Sequence, residues 1–367
     1  VIKKFIEDLY YESSLPLNYS NKEYKELKAD IIHFNLEPTF LSMLKHNNII
    51  DTIPINLKDM LLKKYNQQFI QNLLIKNQTQ MILSAFEENN IFVIPLKGPF
   101  FSEKYFNDFA ARSSSDIDIL IKEDQIDETI ACIKKLGFIV EENNDEEHFH
   151  RTFSKTLPGS TIPLLIEIHW NIVRENTSAL SIDELWNQSI PIENYQFVLE
   201  LSTIHAFYFI ILHAWRHNLD SLKHFLDIIQ MIKIHGNDLN YESLFKIAKK
   251  HKTLKRVIRT LSIVYQQFPF LNNILKLPIT KQYGSLWQYE WIREGKIDKK
   301  KIYLDFIDYQ FRSYDTFSHR LIALLEWLFP SKFGLEGELK GNKMSYLRLF
   351  KQRGKGILSS ISIKSKI

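Results

Sequence analysis

The sequence predicts an α+β fold, a small mixed sheet with helices set between an N-terminal helical segment and a C-terminal helical domain. Three observations carry that expectation. Apolar residues recur at three- and four-residue steps from residue 1 to about 90. Between 91 and 175 the pattern breaks into short apolar or alternating runs separated by Gly and Pro, which suits a compact α/β core. From Ser181 onward the helical period returns. The expected units are 1–90, 91–175 and 176–335, followed by a basic tail at 336–367.

In chain order, NKEYKELKADIIHFN and the long run LKDMLLKKYNQQFIQNLLIKNQTQMILSAFEENN read as amphipathic helices, the second stopping at Asn89-Asn90. IFVIPLKG, Ile91 to Gly98, reads as a buried strand closed by Gly98 and Pro99. FFSEKYF is a short helix, DIDILIK a second strand, and EDQIDETIACIKKLG a helix ending at Gly137. FIVEE starts a third strand. HFHRTFSK and IPLLIEIHWNIV alternate on either side of the turn TLPGSTIP and form a predicted hairpin. Further on, TIHAFYFIILHAWRHN, DSLKHFLDIIQMIKIHG, YESLFKIAKKHKTLKRVIRTLSIVYQQF and HRLIALLEWLFP read as helices. The tail KQRGKGILSSISIKSKI is basic and Ser-rich with weak periodicity, and no internal repeat is present.

The 367 residues carry 47 Lys and Arg against 43 Asp and Glu, a net charge of +4 that does not mark a nucleic-acid binder. The single cysteine, Cys132, excludes an internal disulfide and fits a reducing compartment. It lies on the apolar stripe of a helix, where a small buried hydrophobe is expected rather than a nucleophile. The first residues contain no apolar h-region, and the longest apolar run, AFYFIILHAW, is too short to span a bilayer. A cytoplasmic chain without a membrane segment is therefore expected. Nothing in the sequence specifies an oligomeric state.

The chemistry concentrates in ARSSSDIDILIKEDQ. Asp116 and Asp118 sit two apart in a strand, so both side chains share one face. Two like charges side by side repel and raise one another's pKa, a cost that a divalent cation removes. Mg²⁺ takes oxygen ligands, usually one or two carboxylates plus substrate phosphates. Glu167, flanked by Ile166 and Ile168, offers a third carboxylate from another strand. His169 has the same parity as Glu167 and is expected near it. Gly98, at a strand-to-helix turn, would let backbone N–H groups approach a phosphate, and Lys97 and Arg112 are candidates for compensating triphosphate charge.

This ordered set resembles the nucleotidyltransferase superfamily that shares the polymerase-beta palm, and more closely its bacterial family of uncharacterised nucleotidyltransferases. The likeness rests on Leu96-Lys97-Gly98, Tyr105, Arg112, the run Asp116 to Ile121, and Glu167-Ile168-His169-Trp170. A helical segment with His213 and His217, then Leu222-Lys223 and Asp227, and a late Phe329-Pro330-Ser331 extend it over most of the chain. The resemblance implies a polymerase-beta-like palm and transfer of a nucleoside monophosphate from an NTP such as ATP to an acceptor. It implies two Mg²⁺ held by Asp116, Asp118 and Glu167, with Ser115 or backbone near Gly98 donating to phosphate. Lys223 would reach the triphosphate, with Asp227 orienting it by an i,i+4 pair. Gly98-Pro99 departs from the Gly-Ser or Gly-Gly common in the superfamily, and Glu167 stands where Asp is common.

The acceptor is unspecified: a small molecule, a peptide or a protein side chain, with RNA ranked lower because the net charge is modest. A phosphotransferase (kinase) on the same metal site and a catalytically silent nucleotide-binding scaffold are the alternatives. Each site residue also has a plain structural reading: a wet strand end for the acids, a surface ion pair for Lys223 and Asp227. Two histidine patterns, His148-x-His150 and His213-x-x-x-His217, lack the Cys or Glu partners of zinc motifs and are read as structural.

Overall fold

The computed structural model describes residues 1–11, 17–141, 149–157, 163–236, 238–281, 283–293, 298–330 and 346–361. Four helices come first: α1 (Ile2–Tyr11), α2 (Asn21–His33), α3 (Glu37–His46) and the 34-residue α4 (Ile55–Glu88). Helix α2 starts at a capping box, in which Ser20 and Glu23 satisfy each other's exposed backbone donors. The mixed unit follows as β1 (Val93–Pro95), α5 (Pro99–Phe106), β2 (Asp116–Ile121), α6 (Ile126–Lys135), β3 (Ile139–Val140), β4 (His150–Lys155) and β5 (Leu164–His169). Helix α7 (Ile182–Asn187) and a small ribbon, β6 (Ile190–Pro191) with β7 (Leu199–Glu200), lead to the second helical stretch. That stretch comprises α8 (Thr203–Arg216), α9 (Leu222–His235), α10 (Tyr241–Lys250), α11 (Leu254–Gln267), α12 (Leu271–Ile274), α13 (Tyr289–Ile292), α14 (Lys299–Ile307), α15 (Phe317–Leu328) and α16 (Tyr346–Ile361).

The fold is a mixed α+β arrangement with a small mixed sheet, as expected. Its five strands run in the order β1-β2-β5-β4-β3. Strand β2 is antiparallel to β1 and parallel to β5, while β4 and β5 form the predicted antiparallel hairpin. The register places Asp118 directly beside Glu167 and Asp116 beside Leu165.

The two faces of the sheet are chemically different. Ile117, Ile119 and Ile121 of β2, Ile166 and Ile168 of β5 and Phe153 of β4 pack with Ile82 and Phe86 of α4 and with Cys132 and Ile133 of α6. Burying one such aliphatic side chain stabilises the fold by about 1.5–3 kcal/mol. The alternate residues, Asp116, Asp118 and Leu120, turn the other way, and Leu120 packs in a second core with residues of α8 and α9. This second core also takes in α1 to α3, the start of α4, and Leu96 with Phe101 and Tyr105 of α5. The N-terminal helices and the second helical stretch therefore share one continuous apolar interior.

Two features differ from the sequence expectation. The ribbon β6–β7 interrupts the stretch that the sequence predicts to be helical; with two residues per strand it is too short for alternation to register. Val198 bridges Val93, so this ribbon extends the edge at β1. The basic tail contains a helix, α16, whose own Leu349 is fully buried. His148, the turn at 158–162, Ser331 and the tail positions 336–345 and 362–367 lie outside the described residues. Among the described residues no helix is long and apolar enough to cross a membrane.

Ile166 is fully buried at the centre of the face under α4 and α6. Ile166→Ala is expected to cost about 2–5 kcal/mol, read as a lower urea midpoint at unchanged m-value. A loss below about 0.5 kcal/mol would contradict the packing described here.

Candidate active site

The loop that delivers β2 is fastened from three helices. Thr39 of α3 donates to the Ala111 carbonyl at 2.7 Å. Asn72 of α4 is fully buried and donates to the carbonyls of Phe109 and Arg112, both at 2.8 Å. Ser102 of α5 donates to Asp108 at 2.6 Å and accepts from the Arg112 N–H at 2.9 Å. These bonds satisfy a buried, irregular backbone that has no ladder of its own. They also set where the strand carrying Asp116 and Asp118 begins. None of the three anchoring residues has a sequence signature, because each bond joins residues distant in the chain.

The side chain of Arg112 closes the same loop onto α9. Its Nε and Nη2 donate to the two carboxylate oxygens of Asp227 at 2.8 and 3.0 Å, with both residues buried. Burial opposes the guanidinium charge, but Asp227 more than offsets it and holds the Arg112 pKa above its ordinary value. This corrects the expected Lys223–Asp227 pair. A planar guanidinium matches a carboxylate bidentately, and a lysine on the same helix cannot. Lys223 instead donates to the Ser113 carbonyl. Burial, and then the charge of Arg112, push its pKa down to about 7.

Asp116, Asp118 and Glu167 come together on the sheet face toward α8 and α9, where they line a cavity of about 290 Å³. Asp118 is 3% exposed and receives Lys97 Nζ at 2.9 Å. His169 Nε2 lies 3.3 Å from Asp118 and 3.3 Å from Glu167, so the imidazole bridges the two acids. Burial works against ionising Asp118, yet Lys97 and His169 outweigh it and hold the carboxyl far below the usual range. The His169 hydrogen bond lowers Glu167, and the two acids together raise His169 against the effect of its burial. Asp116 forms no direct ion pair among the described residues: burial and the neighbouring Asp118 charge raise its pKa, against a smaller opposing pull from Lys97.

The remaining sequence candidates occupy distinct places. Gly98 caps α5 at φ 89°, a left-handed conformation that favours glycine, and lies outside the cavity lining. Its turn serves to aim Lys97. Ser115 is exposed on the lining, 3.3 Å from Asp116, to which its hydroxyl donates. The opposite wall comes from α8 and α9; of its residues the sequence points only to Lys223 as a site residue. His213 Nε2 accepts from Lys97 Nζ at 2.9 Å. Burial, and then Lys97, keep its pKa well below the ordinary value, consistent with a neutral acceptor. Arg216 stacks over Phe149 at 5.2 Å, and His217 and His224 complete the rim. Burial, then His224, hold the His217 pKa near about 4. The helical spacing of His213 and His217 placed them on one face; only the tertiary fold puts that face opposite β2.

A family model described as an uncharacterised nucleotidyltransferase matches residues 24–269, more than half of the chain. The chain belongs to that family. Neither a curated protein nor a solved structure matches it. The matched region of this nucleotidyltransferase runs from α2 to the end of α11, so it contains every residue of the cavity just described.

Two measurements test this geometry. Asp227→Ala leaves Arg112 buried without its carboxylate and is expected to cost about 3–5 kcal/mol. Arg112→Met combined with Asp227→Leu should recover most of that loss in denaturant titrations, because no buried charge is then stranded. The second measurement concerns pH. An unfolded chain holds the Lys223 proton up to about 10.5, the folded chain only to about 7. Between these values the unfolded state binds more protons, so the penalty of burying Lys223 is full below pH 7 and fades as pH rises. Lys223→Met should therefore stabilise the protein most at acidic to neutral pH, and its advantage should shrink towards pH 10.

Proposed function

We propose that this nucleotidyltransferase moves a nucleoside monophosphate from an NTP to an acceptor hydroxyl or phosphate, with two Mg²⁺ held by Asp116, Asp118 and Glu167. The observation that carries the reading is the parallel pairing of β2 with β5. It sets Asp118 beside Glu167, with Asp116 two residues away on the same face. The small mixed sheet, with the paired acids on one strand and the third on its neighbour, supports a polymerase-beta-like palm.

The residues fit the metal. All three donors are carboxylates, the hard oxygen ligands that Mg²⁺ prefers. Burial and the Asp118 charge both disfavour an ionised Asp116, a cost that a bound cation would lessen, while Lys97 and His169 already supply positive charge to the other two acids. When bound, the ions would neutralise triphosphate charge and lower the pKa of the attacking group.

The protein groups divide the remaining work. Arg216 and Lys223 line the wall facing the acids, where they would draw the triphosphate in and balance its charge. Lys97 and His213 form a linked pair at the base of the cavity, so Lys97 is aimed between Asp118 and the incoming phosphates. Arg112 is held by Asp227 and acts through the fold, setting the start of β2. Glu167, partly exposed, would accept the acceptor's proton. The acceptor oxygen would then attack the α-phosphorus. The bond to the β-phosphate oxygen breaks, and pyrophosphate leaves. The acceptor stays unassigned among small molecules, peptides and proteins, with RNA ranked lower.

Incubation with α- and γ-labelled NTPs and Mg²⁺ tests the reading. The α-label should pass to an acceptor and the γ-label should leave in pyrophosphate. Asp116→Asn, Asp118→Asn and Glu167→Gln should each reduce transfer to background. Release of a nucleoside diphosphate with transfer of the γ-label would identify a phosphotransferase instead. Transfer that survives the Asp116→Asn/Asp118→Asn change would remove these acids from the reaction.

A further inference from the structure

A second cluster of metal-ligating side chains lies on the cavity rim, on the wall opposite the acids. His217 closes the C-terminus of α8, Asp220 lies in the turn, and His224 is in the first turn of α9. One ligand atom from each residue falls within 4.8 Å of the other two. Asp220 Oδ1 is 3.1 Å from His224 Nε2, and its Oδ2 is 3.9 Å from His217 Nδ1. Tetrahedral zinc, with Zn–N and Zn–O bonds of about 2.0–2.2 Å, sets its ligand atoms roughly 3.3–3.5 Å apart. Each imidazole therefore stands close to that spacing from one of the two carboxylate oxygens.

The geometry points to a binding site for a zinc-class divalent transition metal at His217, Asp220 and His224, separate from the carboxylate triad. Two imidazoles with one carboxylate suit this class, whereas Mg²⁺ prefers oxygen alone. The rings of His217 and His224 stack at 5.0 Å and 15°, so the two imidazoles lie face to face beside the turn. His224 is 8% exposed, and the nitrogen it turns to Asp220 is Nε2, so burial fixes one ligand of the set in place.

His217 and Asp220 are exposed, so an ion can reach the site without opening the core, and His217 can turn to close the coordination. Three protein ligands leave a fourth position, the pattern of metal sites that also take a water or a ligand. His217 and His224 line the same cavity as the acids, so that position borders it. An anionic substrate group occupying it rests on the nucleotide-transfer reading; the ion site does not. Sequence reasoning set zinc aside because His213 and His217 lacked a partner on their helix. The turn into α9 supplies two, and His213 is engaged with Lys97 instead.

The test uses the full chain, stripped with chelator and titrated with Co²⁺ in excess Mg²⁺, with no nucleotide present. A saturable visible absorption band near one equivalent, bleached by Zn²⁺, is expected. Asp220→Asn and His217→Gln, both at exposed positions, should each weaken Co²⁺ binding by about tenfold or more while leaving the melting transition in place. Glu167→Gln should leave the band intact. Native-like Co²⁺ titration in both rim variants, absence of any band, or its loss in Glu167→Gln would overturn the assignment. Because the readout needs no turnover, its failure is distinct from failure of the nucleotidyl-transfer reading.

Discussion

The buried ion pair between Arg112 and Asp227 is the constraint on which the site depends. It joins the loop before β2 to the first half of α9, and so joins the sheet to the helices that face it. Together with the shared apolar core, it holds the acids of β2 at a fixed spacing from the cations of α8 and α9. A buried pair of this kind is weak evidence for stability, since its desolvation cost is of the same order as its attraction. Its value here is geometric. A bidentate fork fixes distance and angle together, and it excludes Asp227 from pairing with Lys223, which is left to the Ser113 carbonyl beside the cavity.

The cavity is an organised opposition of charge. One side of β2 is wholly apolar and sealed by α4 and α6. The other side carries the acids, which could not stay ionised in so dry a place without help. Lys97 and His169 supply it, and each is itself supported. Lys97 has a neutral acceptor in His213, and His169 reaches two carboxylates from the neighbouring strand. Positive charge is therefore already drawn to the position where phosphates and their counterions would bind. Asp116 is the acid of the three whose pKa is raised, because burial and the Asp118 charge outweigh the pull of Lys97 and Lys223.

The N-terminal helices take part in this site without lining it. Thr39, Asn72 and Ser102 hold the loop that starts β2, and α1 to α3 share an interior with α8 to α11. The core that closes the molecule is thus the same one that sets the separation of the two cavity walls. A change in its packing would be felt at the site as altered spacing, with no residue of the site replaced.

Local periodicity determined much of this protein. The order of helices and strands around the acids, the shared face of Asp116 and Asp118 and the outward parity of Glu167 follow from spacings of a few residues. They are legible because the backbone alone enforces a period of 2 or 3.6. Tertiary structure decided everything that depends on which surfaces meet. It set the parallel pairing that brings Glu167 beside Asp118, and it gave Asp227 to Arg112 rather than to Lys223. It also placed His213, Arg216, His217 and His224 opposite the acids. These partners are far apart in the chain, and their choice is made by hydrogen-bond geometry and by the burial of two apolar cores. No local pattern encodes either.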